Sequence, residues 1–347
     1  MTFIIYIARL NCYQVRCGGN NMNEKSLTVL EQYDLKIKST YRLKGNYGCI
    51  TDDGKYILQE YNNSNDRMKT MSVFYNFLEN NNFVTDSVKA NKEGEYVTVS
   101  EDGYTYILKK WYDAEDCSNN NKRQLLLAAS NLARFHKLTE NTTGLFEEGG
   151  FHPGKNLTEV FERHSAEILR IKNYIKKRKN KNFFEMSLHN IIEEYYVQAT
   201  EAAGLLEQSD YKDMYTESIE NQTINHGCYN YHNILFQNNQ VIMVNLLKLN
   251  YAPVVQDLYD FLRKVMEKNN WDILLGKELL DSYCRIRPIS VREFEVLKAA
   301  LSYPEKFWKI INYYYNSNKA WYSEKNEDKL KQFRKQEKLR WSFIDSM

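Results

Sequence analysis

Proline is scarce in this 347-residue chain, with four residues, and glycine reaches only 14. Both residues interrupt helices, so their scarcity excludes a loop-rich architecture and favours long helices. The six cysteines are scattered, with no Cys-x-x-Cys pair and no zinc-type spacing. That excludes a zinc module and a disulfide scaffold, and points to free thiols in a reducing compartment. Charge of one sign is lacking as well: 47 Lys and Arg against 45 Asp and Glu leave a formal +2. A balance so even implies neither nucleic acid nor an acidic partner for the chain as a whole. No long apolar run is present. Thr2 to Ala8 is apolar but far too short to span a bilayer. It has no basic stretch before it and no small-residue cleavage site after it, so neither a signal peptide nor a membrane partner is expected. Met22 opens a polar stretch (Asn23, Glu24, Lys25, Ser26), and the expected start lies there, with 1–21 an extension that adds little to the core.

What is present begins with size. The length exceeds that at which one core stops growing, so two lobes are expected. Tyrosine is abundant at 27 residues. A tyrosine-rich surface would suit cross-linking, but an AT-rich genome, which inflates Tyr, Asn, Lys and Ile together, is the plainer account.

Between 41 and 61 the pattern reads as a hairpin. Tyr47, Cys49 and Ile50 precede the turn Thr51-Asp52-Asp53-Gly54, and Tyr56-Ile57-Leu58 follow it. Asp-Gly between β-favouring runs predicts a type I′ turn, in which both central residues need positive φ. The signature recurs at Tyr96 to Val99, Asp102-Gly103 and Tyr104 to Leu108. Between the hairpins Met68, Met71, Val73, Phe74, Phe77 and Leu78 recur at helical spacing. A small antiparallel sheet with one packed helix is the expectation. From Trp111 the pattern is helical. Leu125, Leu126, Ala129, Leu132, Ala133, Phe135 and His136 make one amphipathic helix. Residues 157–181 make another, ending in Lys172, Lys176, Lys177, Arg178, Lys179 and Lys181. That run could meet phosphate or nucleic acid, but a solvated helix end accounts for it more simply. Ile224-Asn225, Ile234 to Phe236 and Val241 to Val244, around a polar turn at Gln237 to Gln240, read as short strands inside the helical part. Helices resume at Asp257, with turns near Pro288 and Pro304.

A small sheet domain followed by a helical domain with an embedded hairpin is the plan of a protein-kinase-like fold. His226-Gly227-Cys228-Tyr229-Asn230-Tyr231-His232-Asn233 resembles the HGDxxxxN loop of aminoglycoside and choline phosphotransferases, and Val244-Asn245-Leu246 stands where they carry Ile-Asp-Phe. Trp111 to Cys117, Ala129-x-x-Leu132-Ala133-x-x-His136, Asp257 to Lys264 and Glu267 to Trp271 resemble, in order, stretches of the spore-coat CotS family. The resemblance runs from about Glu24 to Trp341. It implies an α+β, two-lobed kinase-like fold: an N-lobe at 22–110, a C-lobe at 111–347 and a hinge near 109–117.

The resemblance also assigns the site. It puts the phosphate-gripping lysine at Gln59, the catalytic base at Cys228 and the metal aspartate at Asn245, leaving Asn233 as the one magnesium-side residue of unchanged type. Phosphoryl transfer depends on positioning and charge stabilisation by a lysine, magnesium and acidic ligands. An amide holds no phosphate charge, and a thiol is a soft ligand beside a hard ion. About 10²–10⁴ in rate would be lost with the base alone. The implied protein is a pseudokinase of the spore coat, made in the mother-cell cytoplasm, partnered by other coat proteins, with no cofactor and no metal. An active phosphotransferase using ATP and magnesium, with Glu60, Asp257 or Asp260 standing in, is the rival, and a nucleotide- or sugar-binding module the third reading. His226 and Asp257 are expected to brace the loop, His136 and His152 to be structural histidines, and Cys228 to be a buried cysteine and not a nucleophile, since no third orienting group is evident.

Overall fold

The computed structural model describes residues 24–43, 45–140, 142, 144–146, 150–316 and 324–347. The expected extension at 1–21 and the start at Met22 lie outside these residues. Contacts divide the chain into two compact units. One runs to Met68 and takes in Ser87–Tyr112; the other takes Lys69–Asp86 and everything from Asp113 on.

The first unit carries β1 (Ile37–Leu43), β2 (Asn46–Thr51), β3 (Lys55–Glu60), β4 (Val88–Lys89), β5 (Thr98–Val99) and β6 (Thr105–Trp111). They form an antiparallel sheet ordered β1-β2-β3-β6-β4, with β5 also on β6. Tyr47, Cys49, Tyr56, Leu58, Tyr106 and Leu108 pack one face of it against Val29, Leu30 and Tyr33, which lie in and just after the 3₁₀ segment Glu24–Gln32. Tyr33 is pinned further by its hydroxyl, 2.7 Å from Thr98 Oγ1. Both hairpins stand where the alternation put them, but the turn type is corrected. Only Gly54 (φ 131°) and Gly103 (φ 80°) are left-handed, not the aspartates before them. At the first turn the Thr51 N–H and hydroxyl both donate to the Gly54 carbonyl at 2.9 Å, so four residues bridge Ile50 and Lys55. β1 shows no apolar alternation because its interior residues are exposed. Pairing with β2, not burial, makes it a strand.

Helix α1 (Asn65–Asn80) starts in the first unit, but from Lys69 its contacts are with the second. Phe74 packs on Phe135, Phe146 and Phe151 at centroid distances of 5.7–6.2 Å. The second unit continues with β7 (Glu115–Asp116), α2 (Lys122–Thr139), α3 (Leu157–Lys177), α4 (Phe183–His189), α5 (Ile192–Gln208) and α6 (Tyr211–Glu220). Then come β8 (Ile224–Asn225), β9 (Ile234–Gln237), β10 (Gln240–Met243) and β11 (Asn250–Tyr251). Five helices close it: α7 (Val255–Lys268), α8 (Ile273–Cys284), α9 (Val291–Ser302), α10 (Glu305–Asn316) and α11 (Glu324–Asp345). The type I′ geometry expected elsewhere occurs between β9 and β10, where Asn238 (φ 48°) and Asn239 (φ 65°) are both left-handed. Asparagine tolerates that region through its short polar side chain. The helix expected over 157–181 ends at Lys177. Arg178 turns extended, and Asn182 starts α4 with a capping box, its side chain accepting from Glu185 N–H while Glu185 reaches back to its backbone. A strong cap restarts the helix and so sets the break. In α7, Leu258, Phe261, Leu262, Val265 and Met266 are buried at i, i+3, i+4, i+7 and i+8. This stripe fixes the helix against the core and presents its first turn, with Asp257, to the His226 loop.

Candidate functional site

The loop His226–Asn233 follows β8 and lies over the start of α7. Asp257, almost fully buried, accepts the backbone N–H groups of His226 (2.5 Å) and Gly227 (3.0 Å) and stands 3.4 Å from His136 Nε2. His226 Nε2 faces the Val244 carbonyl at 3.1 Å and must donate to it, so Nδ1 is left to accept the Cys228 N–H at 3.2 Å. One tautomer serves both, and the ring is neutral. Burial pulls the pKa of His226 down, opposed in part by Asp257. His136 behaves alike: burial lowers its pKa against the pull of Asp257, while Nδ1 lies 2.7 Å from the Tyr283 hydroxyl. Gly227, at φ 72°, is required by geometry, since a Cβ there would run into the Lys248 carbonyl and the Asn250 side chain. Tyr229 anchors the middle of the loop, its hydroxyl donating to the Ala128 carbonyl at 2.8 Å.

The outer positions of the loop are less enclosed. Asn233 and Asn230 both donate their side-chain amides to the Cys228 carbonyl at 2.8 Å. Cys228 is half-buried, and its sulfur accepts a long contact from Asn230 Nδ2 at 3.6 Å among the described residues. The His226 ring accepts the backbone N–H of Cys228 and not its thiol. That geometry gives a nucleophilic cysteine no base from His226. Asn245 is left-handed (φ 69°, ψ 41°) and half-buried, and its side chain caps nothing. Its backbone N–H donates to Asp86 Oδ2 at 3.0 Å. Asp86 is fully buried, and the sequence reading missed it. It lies after α1, far from any motif, and the tertiary bridge between Thr85 and Met243 is what carries it to Asn245.

In the first unit Gln59 sits on β3 opposite Ile107 of β6, partly exposed. Ile57 pairs with Lys109, so strand alternation puts Gln59, Ile57, Ile107 and Lys109 on one face, opposite the apolar cluster. Lys109 is buried, 5% exposed, and was not singled out in the sequence. Once the β3–β6 register is known, a lysine on the face of Gln59 follows from alternation alone.

Two carboxylates named as stand-ins are committed elsewhere. Asp257 braces the loop, and the partly exposed Asp260 pairs at 2.9 Å with the buried Arg263, which also holds Glu267. Glu60 lies on β3, opposite Tyr106. His152 is exposed and contributes through its carbonyl, which accepts the Tyr251 N–H at 3.0 Å, so it is not the packed histidine expected. Cys228, expected to be buried, is only half so.

A family profile described as "Spore coat putative kinase YutH" matches residues 26–347. Spore coat protein S of Bacillus subtilis (strain 168) is 22% identical over 242 residues, which cover 67% of this chain and 58% of that protein. The match thus spans little more than half of that relative. Among solved structures, an aminoglycoside phosphotransferase from Alicyclobacillus acidocaldarius superposes with a TM-score of 0.80 at 18% identity, over 92% of this chain and 94% of that one. The AMP-bound spectinomycin phosphotransferase APH(9)-Ia gives 0.62 at 13% identity, over 91% and 97%. At such identities the likeness establishes the fold: a kinase-like α+β chain with an antiparallel sheet unit and a larger helical unit. The resemblance to the CotS family drawn from the motifs agrees with these matches.

Proposed function

We propose, for a chain that belongs to the YutH family of spore-coat kinase-like proteins, that it is a coat component whose phosphotransfer site is inactive. The observation that carries this reading is the neutrality of the loop. Asn233 and Asn245 are amides, Cys228 stands where the resemblance puts the base, and Asp86 is turned to the backbone of Asn245. Magnesium is a hard ion that favours carboxylate and phosphate oxygens in near-octahedral geometry. Asn233 offers an amide oxygen, but with an amide also at 245 the pair supplies no carboxylate, so the two do not make a fit site for the ion. Gln59 adds no charge for phosphates, so degenerate nucleotide positions at Gln59, Asn233 and Asn245, without cofactor, are part of the proposal. Synthesis in the mother cell, assembly into the coat and association with other coat proteins complete it.

A second reading has two observations in its favour. Asp86 beside Asn245 and Lys109 on the face of Gln59 each supply the sign of charge that the motif position lacks. They would support a phosphotransferase with relocated charges, using ATP and magnesium. Calorimetric titration of the full chain with Mg-ATP separates the two. Absent or millimolar binding, with no turnover, is expected of the coat component. Magnesium-dependent micromolar binding that Asp86→Asn or Lys109→Met abolishes would replace it with the enzyme. Fractionation of mature spores tests location independently: recovery from vegetative cytoplasm and not from the coat would count against the first reading.

A further inference from the structure

The basic run that ends α3 has no part in the loop, and its surroundings are not those of a merely solvated helix end. Residues 172–186 hold six cations and one carboxylate, a net of five positive charges in a chain whose total is +2. The rest of the chain is therefore net negative. The one acid, Glu185, is buried against Arg178 at 2.8 Å. Lys172 is paired with Glu193. Lys176, Lys177 and Lys179 are exposed, and no ion pair joins them to any acid among the described residues.

Beside these lysines stand three large apolar groups that the fold leaves uncovered. Phe183 is 70% exposed, Tyr174 51% and Met186 44%. Phe183 and Met186, three apart on α4, share one side of it. Single exposed apolar residues need no explanation, but three within thirteen residues, among unpaired lysines, form a patch. Their base is fixed. Arg178 donates to the Tyr174 hydroxyl at 3.1 Å and to the Asn180 carbonyl at 2.9 Å. Asn182 closes the α4 capping box and donates to the Tyr314 hydroxyl at 2.6 Å. Phe184 is buried on Tyr314, with ring centroids 4.4 Å apart, and Tyr174 meets Tyr315 edge-on at 5.7 Å. A patch already ordered loses little conformational entropy when something docks on it.

We propose that this surface, made by the end of α3 and the exposed side of α4, docks an acidic amphipathic segment of a partner protein. The segment's apolar residues would cover Phe183, Met186 and Tyr174, and its carboxylates would meet Lys176, Lys177 and Lys179. Aromatic and methionine side chains within a charged rim are the composition of a protein interface, with the rim setting encounter and register. Three unpaired lysines are few for a polyanion that binds by releasing counterions, and a thioether is a poor stacking surface for bases. Two apolar side chains on a seven-residue helix bury too little area to hold a bilayer surface. The surface does not depend on whether the kinase-like site is active; the coat reading bears only on which protein is the partner.

The test uses the full chain and a labelled synthetic peptide of about 18 residues, with leucines at helical spacing and glutamates elsewhere, followed by fluorescence anisotropy. The acidic peptide should bind, less tightly as salt rises. Its affinity should fall about tenfold or more in Phe183→Ser with Met186→Ser, and again in Lys176→Glu with Lys177→Glu and Lys179→Glu. Gln59→Lys with Asn245→Asp should bind the peptide as wild type does, so failure of the inactive-site reading would leave this result standing. The two surface variants alter exposed positions, one on α4 and the other at the end of α3 and in the turn after it, and circular dichroism melts of each certify the fold. The proposal is overturned by undiminished binding in both variants, by no binding of the acidic peptide, or by tighter binding of its lysine counterpart. It is equally overturned if a polythymidine oligonucleotide or phosphatidylglycerol vesicles bind more tightly through the same residues, or if the patch proves to join two copies of this chain in sedimentation.

Discussion

The inner and outer surroundings of the His226–Asn233 loop differ in burial and charge. Inside, His226, His136 and Asp257 are buried, and each carries its polar partners. Outside, Cys228, Asn233 and Asn245 are half-buried, neutral and held mainly through backbone and amide contacts. The inner half needs its one carboxylate because two backbone N–H groups would otherwise be stranded without water. The outer positions Cys228, Asn233 and Asn245 carry no carboxylate of their own, and Asp86 meets only the backbone N–H of Asn245 there. The shape of this loop therefore rests on the buried groups, while the positions that the proposal reads as inactive lie outside them.

The comparison breaks first at Asp257. Asp257→Ala strands the N–H groups of His226 and Gly227 and should cost about 3–5 kcal/mol in urea denaturation, as for a buried charge site that loses one partner. A loss below about 1 kcal/mol would show that the inner half is not what holds the loop.

On the outer half the largest effect should come from restoring charge. Gln59→Lys with Asn245→Asp should raise Mg-ATP affinity by about two to four powers of ten, from two charge-assisted contacts of roughly 1.5–3 kcal/mol each. Left-handed backbone at 245 admits aspartate as readily as asparagine, so the change adds little strain. No gain by calorimetry would mean that the nucleotide positions are filled or closed, and the chain would then be structural throughout. Adding Cys228→Asp should alter turnover far more than binding.

Acid should also tell the buried ionisable groups from the rest. His136 and His226 have pKa values held below the ordinary 6.5 by burial, so the unfolded chain binds more protons than the native one. Stability is then full above about pH 6.5 and declines as pH falls from there toward the lower native values. Glu305 adds a second window: burial alone would raise it, but Lys309, His164 and Arg263 outweigh that and hold it at about 2, so its contribution is lost between about pH 4.5 and 2. Denaturation midpoints at pH 7.5, 6 and 5 should decrease in that order, less steeply in His136→Gln. A flat profile across that range would contradict neutral buried rings.

The smallest effect should be at Cys228. With one long contact to its sulfur, Cys228→Ala should change stability by about 1 kcal/mol or less and leave ligand binding unaltered. A loss of several kcal/mol, read by melting, would move Cys228 into the inner, structural half.

Much of the fold was legible because its signals are local. Leu258 to Met266 announce α7 by period, and the Asp53-Gly54 and Asp102-Gly103 steps announce the hairpins, although glycine alone supplies the left-handed residue in each. β1 was not legible, since its side chains are exposed and only pairing defines it. Nor was the break at Arg178, where the capping box at Asn182 overrides a continuous basic helix. In the site, Cys228 and Asn233 were named from one contiguous motif and Asn245 from a second one just after β10, so naming them needed only neighbouring residues.

By itself the sequence determined the identity of the charges missing from the motif and the order of the elements, because both are properties of neighbouring residues. Only the tertiary structure decided which buried groups lie near those motif positions. Asp86 reaches Asn245 across 159 residues, Asp257 reaches His136 across 121, and Lys109 shares a face with Gln59 through strand register. Burial and partnership at such separations arise from packing of the whole chain, and no local pattern encodes them.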